Sequence, residues 1–351
     1  MVSSLTTTTL GRNGSLADTE ALFLKMYAGK VLETFQTECK MEGLIDVQTI
    51  SEGKSFTFPV YGRAEAKYHL RGENMLDPAN GYLNNIKFSE KVIFLDRPLV
   101  SLRATDDWDD MVNHWDSASR LATEQGFALA RTRDKQILSL LYKATSEAPA
   151  LTAEEVGGGA TVGSAGTISV TGISASGPFG TKGDAQKVIQ GMGSAAAALA
   201  KRNCPMDEVR IAMSHEDYFA ALSCPDSPFI ALETNKSGPN GDISERSAIN
   251  RVVGFQIFAT NHMPSATADG GIGQYVDDTD GQFNTYAAPN TDLRMLAFHK
   301  SAIGSVRRQG VTVERERKME ILGDVISTYF VEGHGILRPE CAVAIEFNTG
   351  V

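Results

Sequence analysis

Residues 106–148 decide the fold: DDWDDMVNHWDSASRLATEQGFALARTRDKQILSLLYKATSEA. Apolar residues recur there at three- and four-residue steps, which predicts one helix of roughly 40 residues and about 60 Å. Its apolar stripe consists of Trp108, Met111, Val112, Trp115, Ala118, Leu121, Ala122, Ala128, Leu129, Ile137, Leu138 and Leu141. Pro149 favours an end at this point, because proline disfavours helical geometry in the residue before it.

The charges of this stretch are polarised along its length. The acidic residues at its start are Asp106, Asp107, Asp109 and Asp110, and the basic residues of its second half are Arg131, Arg133, Lys135 and Lys143. Both sets complement the dipole of a helix. We interpret them as stabilising charges rather than as a catalytic carboxylate pair.

The predicted helix is several times longer than the usual length of about 11–12 residues, and two arrangements would account for it. One is a dimeric coiled coil. The other is a strut within one chain, against which sheets pack on one side. Gly126, the many alanines and the lack of a heptad with charged flanks favour the strut.

Two strands before this helix are predicted to form a long ribbon. Residues 54–68 and 87–102 show alternating apolar side chains, and the segment between them is polar and rich in turn residues. Each arm would be about 50 Å long at 3.3 Å or so per residue. Because a lone two-stranded ribbon is marginally stable in water, we expect a neighbouring copy to cover its aromatic face.

The N-terminus is predicted to be a polar, mobile arm over residues 1–19, followed by a short amphipathic helix over 21–38. The apolar side of that helix is Leu22, Phe23, Met26, Leu32 and Phe35. Such a helix needs another surface to pack on. Together with the ribbon it supplies the candidate inter-subunit contacts, which are Phe56, Phe58, Val60, Phe88, Val92, Phe94, Leu22 and Phe23.

The second half of the chain alternates helices and strands. Residues 182–202 are predicted to be a helix, and 167–171 and 207–213 to be strands. The alternation from 182 to about 319 suggests an α/β or α+β unit. Two strands within residues 293–313 precede a tail of two long strands separated around Gly333, Gly335 and Pro339.

Composition restricts the function classes. The chain has 351 residues, of which 42% are hydrophobic and 22% charged, and it lacks a membrane-spanning apolar run or a secretory signal. Its four cysteines contain no C-x-x-C pair, which indicates a reducing cytoplasm and neither a zinc site nor a disulfide scaffold. A net charge of −10 argues against nucleic-acid binding by the whole chain, although it suits a wall around a polyanion.

No motif for catalysis, a cofactor or a metal is complete. Gly53-Lys54-Ser55 lacks the glycine that a phosphate loop needs five residues earlier, where Gln48 stands. The six histidines form no H-x-x-x-H pair. We therefore expect no enzyme activity and no cofactor.

Seven stretches resemble the major capsid protein of T-seven-like short-tailed bacteriophages. In order they are ALFLKMYAGKVLETF (21–35), ISEGKSFTFPVYGRAEAKY (50–68), GENM (72–75), SEKVIFLD (89–96), MVNHWDSASRLATEQGFALA (111–130), HKSAIGSVR (299–307) and YFVEGHGILRPECA (329–342). The resemblance covers most of residues 20–348 and is weakest in 150–190 and 262–292.

The resemblance implies the α+β Hong Kong 97-type capsid fold, with an N-terminal arm, an extended β-hairpin loop, a peripheral domain with a long spine helix, and an axial domain. The implied boundaries are 1–44 for the arm, 45–104 for the extended loop, 105–181 for the peripheral domain with the spine helix at 106–148, 182–319 for the axial domain, and 320–351 for the return strands of the peripheral domain.

The resemblance also implies function and partners. The subunit would assemble with itself as hexamers and pentamers into an icosahedral head, built in the host cytoplasm and retained in the virion. Its other partners would be a scaffolding protein, a portal protein and packaged double-stranded DNA, with no membrane. The alternatives are the shell of a cellular nanocompartment of the same fold and, less favoured, a soluble hydrolase.

Overall fold

A computed structural model describes most of the chain. The described residues are 16–61, 68–77, 88–106, 108, 117–147, 167–171, 184–223, 251–252, 255–263, 293–320 and 322–348. The expected mobile arm falls almost wholly outside them, as do residues 109–116, which include Trp115 and for which the sequence predicts the first turns of the long helix.

The helices are α1 (Leu16–Glu38), α2 (Ser117–Ser146), α3 (Asp184–Lys201) and α4 (His215–Ser223). The strands are β1 (Asp46–Thr49), β2 (Ser55–Tyr61), β3 (Phe88–Phe94), β4 (Leu99–Asp106), β5 (Thr167–Thr171), β6 (Arg210–Met213), β7 (Arg251–Val252), β8 (Phe255–Ala259), β9 (Leu293–Phe298), β10 (Ile303–Lys318), β11 (Gly323–Ile336) and β12 (Ala342–Asn348). Short 3₁₀ turns precede β10 and β12.

The chain divides into two compact units. Unit 1 comprises residues 1–39, 97–131 and 309–331, and unit 2 comprises 40–96, 132–308 and 332–351. The domain plan implied by the resemblance stays a prediction. The strand β12, which that plan assigns to the peripheral return strands, lies between β5 and β9 in the largest sheet.

Unit 1 is built on α1, the first half of α2, and an antiparallel pair. In that pair β4 lies along β11, with Asp106 opposite Gly323 and Leu99 opposite Phe330. The helix α1 packs closely on α2 at Gly126, where an added Cβ would lie 2.9 Å from the carbonyl oxygen of Val31. The glycine thus permits a close helix crossing, and α2 is covered here by its own chain, as the strut interpretation predicts.

A buried amide joins the elements of unit 1. The Oε1 of Gln125 on α2 accepts hydrogen bonds from the Tyr27 hydroxyl (2.8 Å) and the Thr328 hydroxyl (2.9 Å). Burial raises the pKa of Tyr27 to about 12, although the charge of Arg103 opposes the rise. Because a buried polar side chain must be paired, this network fixes how α1, α2 and β11 meet.

Unit 2 contains the main core. Its mixed six-stranded sheet has the order β5-β12-β9-β6-β8-β7. The helix α3 packs on this sheet through Val188, Met192, Ala195 and Leu199. The second half of α2 contributes Ile137, Leu138 and Leu141 to the same core, which confirms that part of the predicted apolar stripe.

The start of the long helix differs from the prediction. Asp106 is the last residue of β4, so the helix begins after it, and its Oδ1 accepts a hydrogen bond from the Trp108 amide (2.9 Å). Trp108 is 69% exposed, so the expectation that it belongs to the packed apolar stripe is wrong. Ala128 is also exposed, whereas Ala130 is buried. Pairing with β11 therefore prevails over the helical pattern at residue 106.

Several strand boundaries differ from the predictions. The predicted strand 87–102 is divided by residues 95–98, which include Pro98, and β4 then joins another sheet than β3. The strand β10 runs without a break through residues 307–310. The strand β11 continues through Gly333, where an added Cβ would lie 2.0 Å from the Phe94 carbonyl oxygen. Gly333 therefore permits close approach of the backbone and does not end the strand.

Other local predictions are confirmed. Residues 167–171 form β5, and Ser214 begins α4 by accepting a hydrogen bond from the Asp217 amide (3.0 Å). The helix predicted at 182–202 is α3. None of the described helices is long and apolar enough to cross a membrane.

Candidate assembly surfaces

The predicted ribbon is present as the antiparallel pair β2–β3. Phe56 lies opposite Ile93, Phe58 opposite Lys91, and Tyr61 opposite Phe88. Since directly opposed residues share a face, Phe56, Phe58 and Val60 lie on one face, which we call the inner ribbon face. The outer ribbon face is formed by Ser55, Thr57, Pro59, Tyr61, Phe88, Glu90, Val92 and Phe94. The eight candidate contact residues therefore do not form one surface.

The inner ribbon face docks on its own chain. Phe58 is 7% exposed and lies in a cluster with Ile50, Ile93, Val306 and Leu337, against which Phe56 also packs. The expectation that a neighbouring copy covers the aromatic face is therefore wrong for Phe58, which its own chain covers. The covering residues come from distant strands and loops, which no local pattern relates to the ribbon.

An ion pair anchors the same end of the ribbon. The Lys91 ammonium lies 2.9 Å from a carboxylate oxygen of Glu147, which follows α2. A lysine on a two-stranded ribbon commonly serves as a solvated charge that deters stray strand pairing. Lys91 does not, since its side chain is two-thirds buried and paired with Glu147.

The outer ribbon face is the most aromatic exposed strand surface among the described residues. Tyr61 is 66% exposed, Phe88 69% and Val92 43%. The rings of Tyr61 and Phe88 pack edge to face with centroids 5.4 Å apart. Exposed Tyr68, Leu70, Met75 and Leu76 follow in the turn segment. Contiguous exposed apolar surface is typical of interaction sites in proteins.

The predicted apolar side of α1 is rotated in the structure. Tyr27, Val31 and Phe35 are buried, whereas Met26 and Leu32 are exposed. Phe23 is half-buried and lies under the Arg315 guanidinium, 5.2 Å from its ring centroid. Leu22 lies in α1, but its side chain is outside the described part. The buried residues 27, 31 and 35 recur every four positions and form the packed face of α1, in place of the predicted set.

Unit 2 also holds a buried charge cluster. Arg133 on α2 is 0% exposed and donates to both carboxylate oxygens of Glu332 (2.8 and 2.9 Å). It also pairs with Glu42 at 2.9 Å. Arg307 contacts Glu42 (3.0 Å) and Glu332 (3.5 Å). The cluster thus joins the loop after α1 to α2, β10 and β11.

Burial and the pairing of its members with one another determine the pKa values in this cluster. Burial opposes ionisation of Glu332, but Arg133 and His334 outweigh it and hold the pKa of Glu332 far below its usual value. Burial lowers the pKa of His334 to about 4, against the opposing charge of Glu332. The Ser305 hydroxyl lies 2.6 Å from Glu332 Oε1 and 2.8 Å from His334 Nδ1. Since every group has a partner, we interpret the cluster as structural.

The structure brings together two cysteines that sequence spacing left apart. Ligand atoms of Cys204, Cys341 and His299 all lie within 4.8 Å of one another. Cys204 follows α3, and Cys341 immediately precedes β12. No local sequence motif predicts this cluster, because its members come from three separate segments.

Comparison with known proteins decides the family. The family model for the Gp10A-like major capsid protein matches residues 57–346. The chain belongs to the Gp10A-like major capsid protein family. This major capsid protein is thus a structural protein and not an enzyme.

The relatives agree over nearly the whole chain. The major capsid protein of Escherichia phage T7 is 30% identical over 94% of this chain and 93% of its own length. The minor capsid protein of the same phage is also 30% identical, over 95% of this chain and 81% of its own length. The major capsid protein of Enterobacteria phage T3 is 29% identical, over 96% and 95% respectively.

Solved structures show the same fold. The capsid structure of cyanophage P-SCSP1u matches with a TM-score of 0.66 and 27% identity, over 88% of this chain and 87% of that one. The mature capsid of bacteriophage PhiM1 matches with a TM-score of 0.64 and 15% identity, over 88% and 86%. The major capsid protein therefore has the α+β Hong Kong 97-type fold, and it is a component of the virion capsid.

Proposed function

We propose that this major capsid protein closes an icosahedral shell as hexamers and pentamers whose copies contact one another through the outer ribbon face. The observation that carries the proposal is the exposure of Tyr61, Phe88 and Val92 on a ribbon whose other face is docked. Phe56, Phe58 and Val60 then position the ribbon, and Phe88, Val92 and Phe94 make the contact.

The energy of such a contact is modest for each copy. Burying one large apolar side chain contributes about 1.5–3 kcal/mol. Tyr61 and Phe88 already hold each other edge to face, so little side-chain freedom remains to be lost on contact. Repetition over many copies makes the closed shell stable although each contact is weak.

The remaining contact candidates belong to α1. Phe23 is held by Tyr27 and Arg315 within its own chain, which leaves it a smaller role between copies. Met26 and Leu32 are exposed on the same helix, and we propose that they, with Leu22, meet a neighbouring copy or the scaffolding protein.

We propose that assembly takes place in the host cytoplasm around a scaffolding protein, and that double-stranded DNA enters through a portal protein. The net charge of −10 supports a wall that encloses DNA without adhering to it, since like charges repel. The salt dependence of DNA binding distinguishes a wall that only encloses DNA from one that binds it. A protein that contacted phosphates directly would lose affinity steeply with salt.

The outer ribbon face is tested by Phe88→Asp. The subunit should stay folded, since Phe88 is mostly exposed, and closed shells should be lost when the variant is expressed with the scaffolding protein. Phe88→Tyr, which retains the ring, is the matched control and should give closed shells. Electron microscopy and circular dichroism measure both outcomes. Normal shells from Phe88→Asp would refute the contact.

A further inference from the structure

The cysteine cluster of unit 2 carries an inference about covalent chemistry. Cys204 and Cys341 are both buried and both free thiols in the structure. Their sulfur atoms lie within 4.8 Å of each other, and His299 is the third member of the group. We propose that Cys341 and Cys204 form a peroxide-reactive pair that closes into a disulfide once the virion has left the reducing cell.

The backbone holds the pair in place. The His299 amide donates to the Cys341 carbonyl oxygen at 3.0 Å, and the Cys204 amide donates to the Leu199 carbonyl oxygen at 3.1 Å. The Arg202 guanidinium reaches the carbonyl oxygen of Ala342 at 3.4 Å. The Arg202 contact ties the end of α3, next to Cys204, to β12, which begins directly after Cys341. Closing the disulfide brings the two sulfur atoms from within 4.8 Å to about 2.0 Å.

The surroundings select Cys341 as the nucleophile. The neighbouring Cys204 thiol, the Arg338 guanidinium and the Ser301 hydroxyl favour the charged form of Cys341 and lower its pKa, against burial and the carboxylate of Glu340. The same contact raises the pKa of Cys204, which stays a thiol. A thiolate next to a thiol is the arrangement in which a first cysteine is oxidised and a second one resolves it.

The chemistry balances with hydrogen peroxide as the oxidant. The Cys341 thiolate attacks one peroxide oxygen, an S–O bond forms, the O–O bond breaks, and hydroxide leaves to be protonated to water. The Cys204 sulfur then attacks the sulfenic sulfur, the S–S bond forms, and the oxygen leaves as water with the Cys204 proton. A peroxide molecule is small enough to reach sites from which larger oxidants are excluded.

A soft metal ion is the rival occupant of the same three residues. One observation disfavours it. Nδ1 of His299 already accepts a hydrogen bond from the Ser301 amide (3.1 Å) and lies 2.8 Å from the Ser301 hydroxyl. The proton of the neutral ring is then on Nε2, so neither ring nitrogen offers a free lone pair to a metal ion.

The experiment oxidises assembled, reduced particles of the full chain with hydrogen peroxide, quenches with catalase, and counts thiols under denaturing conditions. The count should fall from four per chain to two, and peptide mass spectrometry should find Cys204 linked to Cys341. Loss of other thiols, links between chains, or an unchanged count would overturn the proposal. So would stoichiometric zinc in the reduced particle that protects both thiols until a chelator is added.

Variants assign the roles. In Cys204→Ser the sulfenic acid of Cys341 has no resolving partner, so dimedone should label Cys341 in that variant and not in the wild type. In Cys341→Ser, Cys204 should stay reduced. Cys39→Ser, which removes a buried cysteine of unit 1, is the matched control and should give the wild-type link. Labelling of Cys204 instead of Cys341 would overturn the assignment.

Discussion

At the scale of single residues, Arg133 is a side chain whose environment the sequence pattern predicts wrongly. Its position in the basic half of α2 predicts a surface charge that complements the helix dipole. The structure buries it completely between Glu332 and Glu42. Both carboxylates come from segments far away in sequence, so no helical pattern could have indicated them. The buried ion pairs replace apolar contacts at the junction of four segments.

Arg133→Met should lower the free energy of unfolding by about 3–5 kcal/mol, because it leaves Glu332 buried without its main partner. Denaturant unfolding followed by circular dichroism measures the loss. Arg131→Met, which changes an exposed arginine of the same helix, is the control and should cost within about 0.5 kcal/mol. Equal losses from the two variants would contradict the role assigned to Arg133.

His334 makes the free energy of unfolding depend on pH. Its pKa is about 4 in the folded chain and 6.5 when unperturbed, so between these values the unfolded chain binds a proton that the folded chain does not. Stability should therefore fall as the pH drops from about 6.5 to about 4, by on the order of 3 kcal/mol. Glu332, with a lowered pKa, adds a further loss below its unperturbed value of 4.5.

The groups facing His334 are Glu332, Arg133, Arg307 and Asp134, and His334→Gln keeps them all. This variant should flatten the slope of unfolding free energy between about pH 7 and about pH 5, whatever its effect on absolute stability. His215→Gln, which changes an exposed histidine outside the cluster, is the control, and its slope should stay steeper than that of His334→Gln. Denaturant titrations at a series of pH values measure both. An unchanged slope in His334→Gln would contradict this account.

At the scale of elements, alternation of apolar residues correctly predicts the β2–β3 ribbon. It does not predict which face is covered. Phe58 and Phe88 belong to equally apolar strands, yet one is buried by Val306 and Leu337 and the other is exposed. That difference depends on tertiary packing. The same is true of Asp106, whose place in β4 is decided by the partner strand β11.

The two faces of the ribbon should respond differently to truncation. Phe58→Ala should lower the free energy of unfolding by about 3–5 kcal/mol, because it leaves a cavity among buried residues. Phe88→Ala should change it by less than about 0.5 kcal/mol. Thermal and denaturant unfolding of the unassembled subunit measure both. If Phe88→Ala destabilised the subunit as much as Phe58→Ala, the outer ribbon face would be part of its own core.

At the scale of the whole molecule, resemblance predicts more than periodicity does. The family and the fold follow from stretches spread over most of the chain, and the comparisons confirm both. The contacts that distinguish this chain, such as the charge cluster and the paired cysteines, are not indicated by any stretch. They depend on which distant segments meet, and only the folded structure shows that.

The central claim is that copies of this chain cover one another's outer ribbon faces. Cryo-electron microscopy of the wild-type particle at side-chain resolution tests it most directly. We predict that Tyr61, Phe88 and Val92 lie in van der Waals contact with a neighbouring copy at every position of the shell. A closed shell in which these three side chains face solvent, or pack only on their own chain, would contradict the claim.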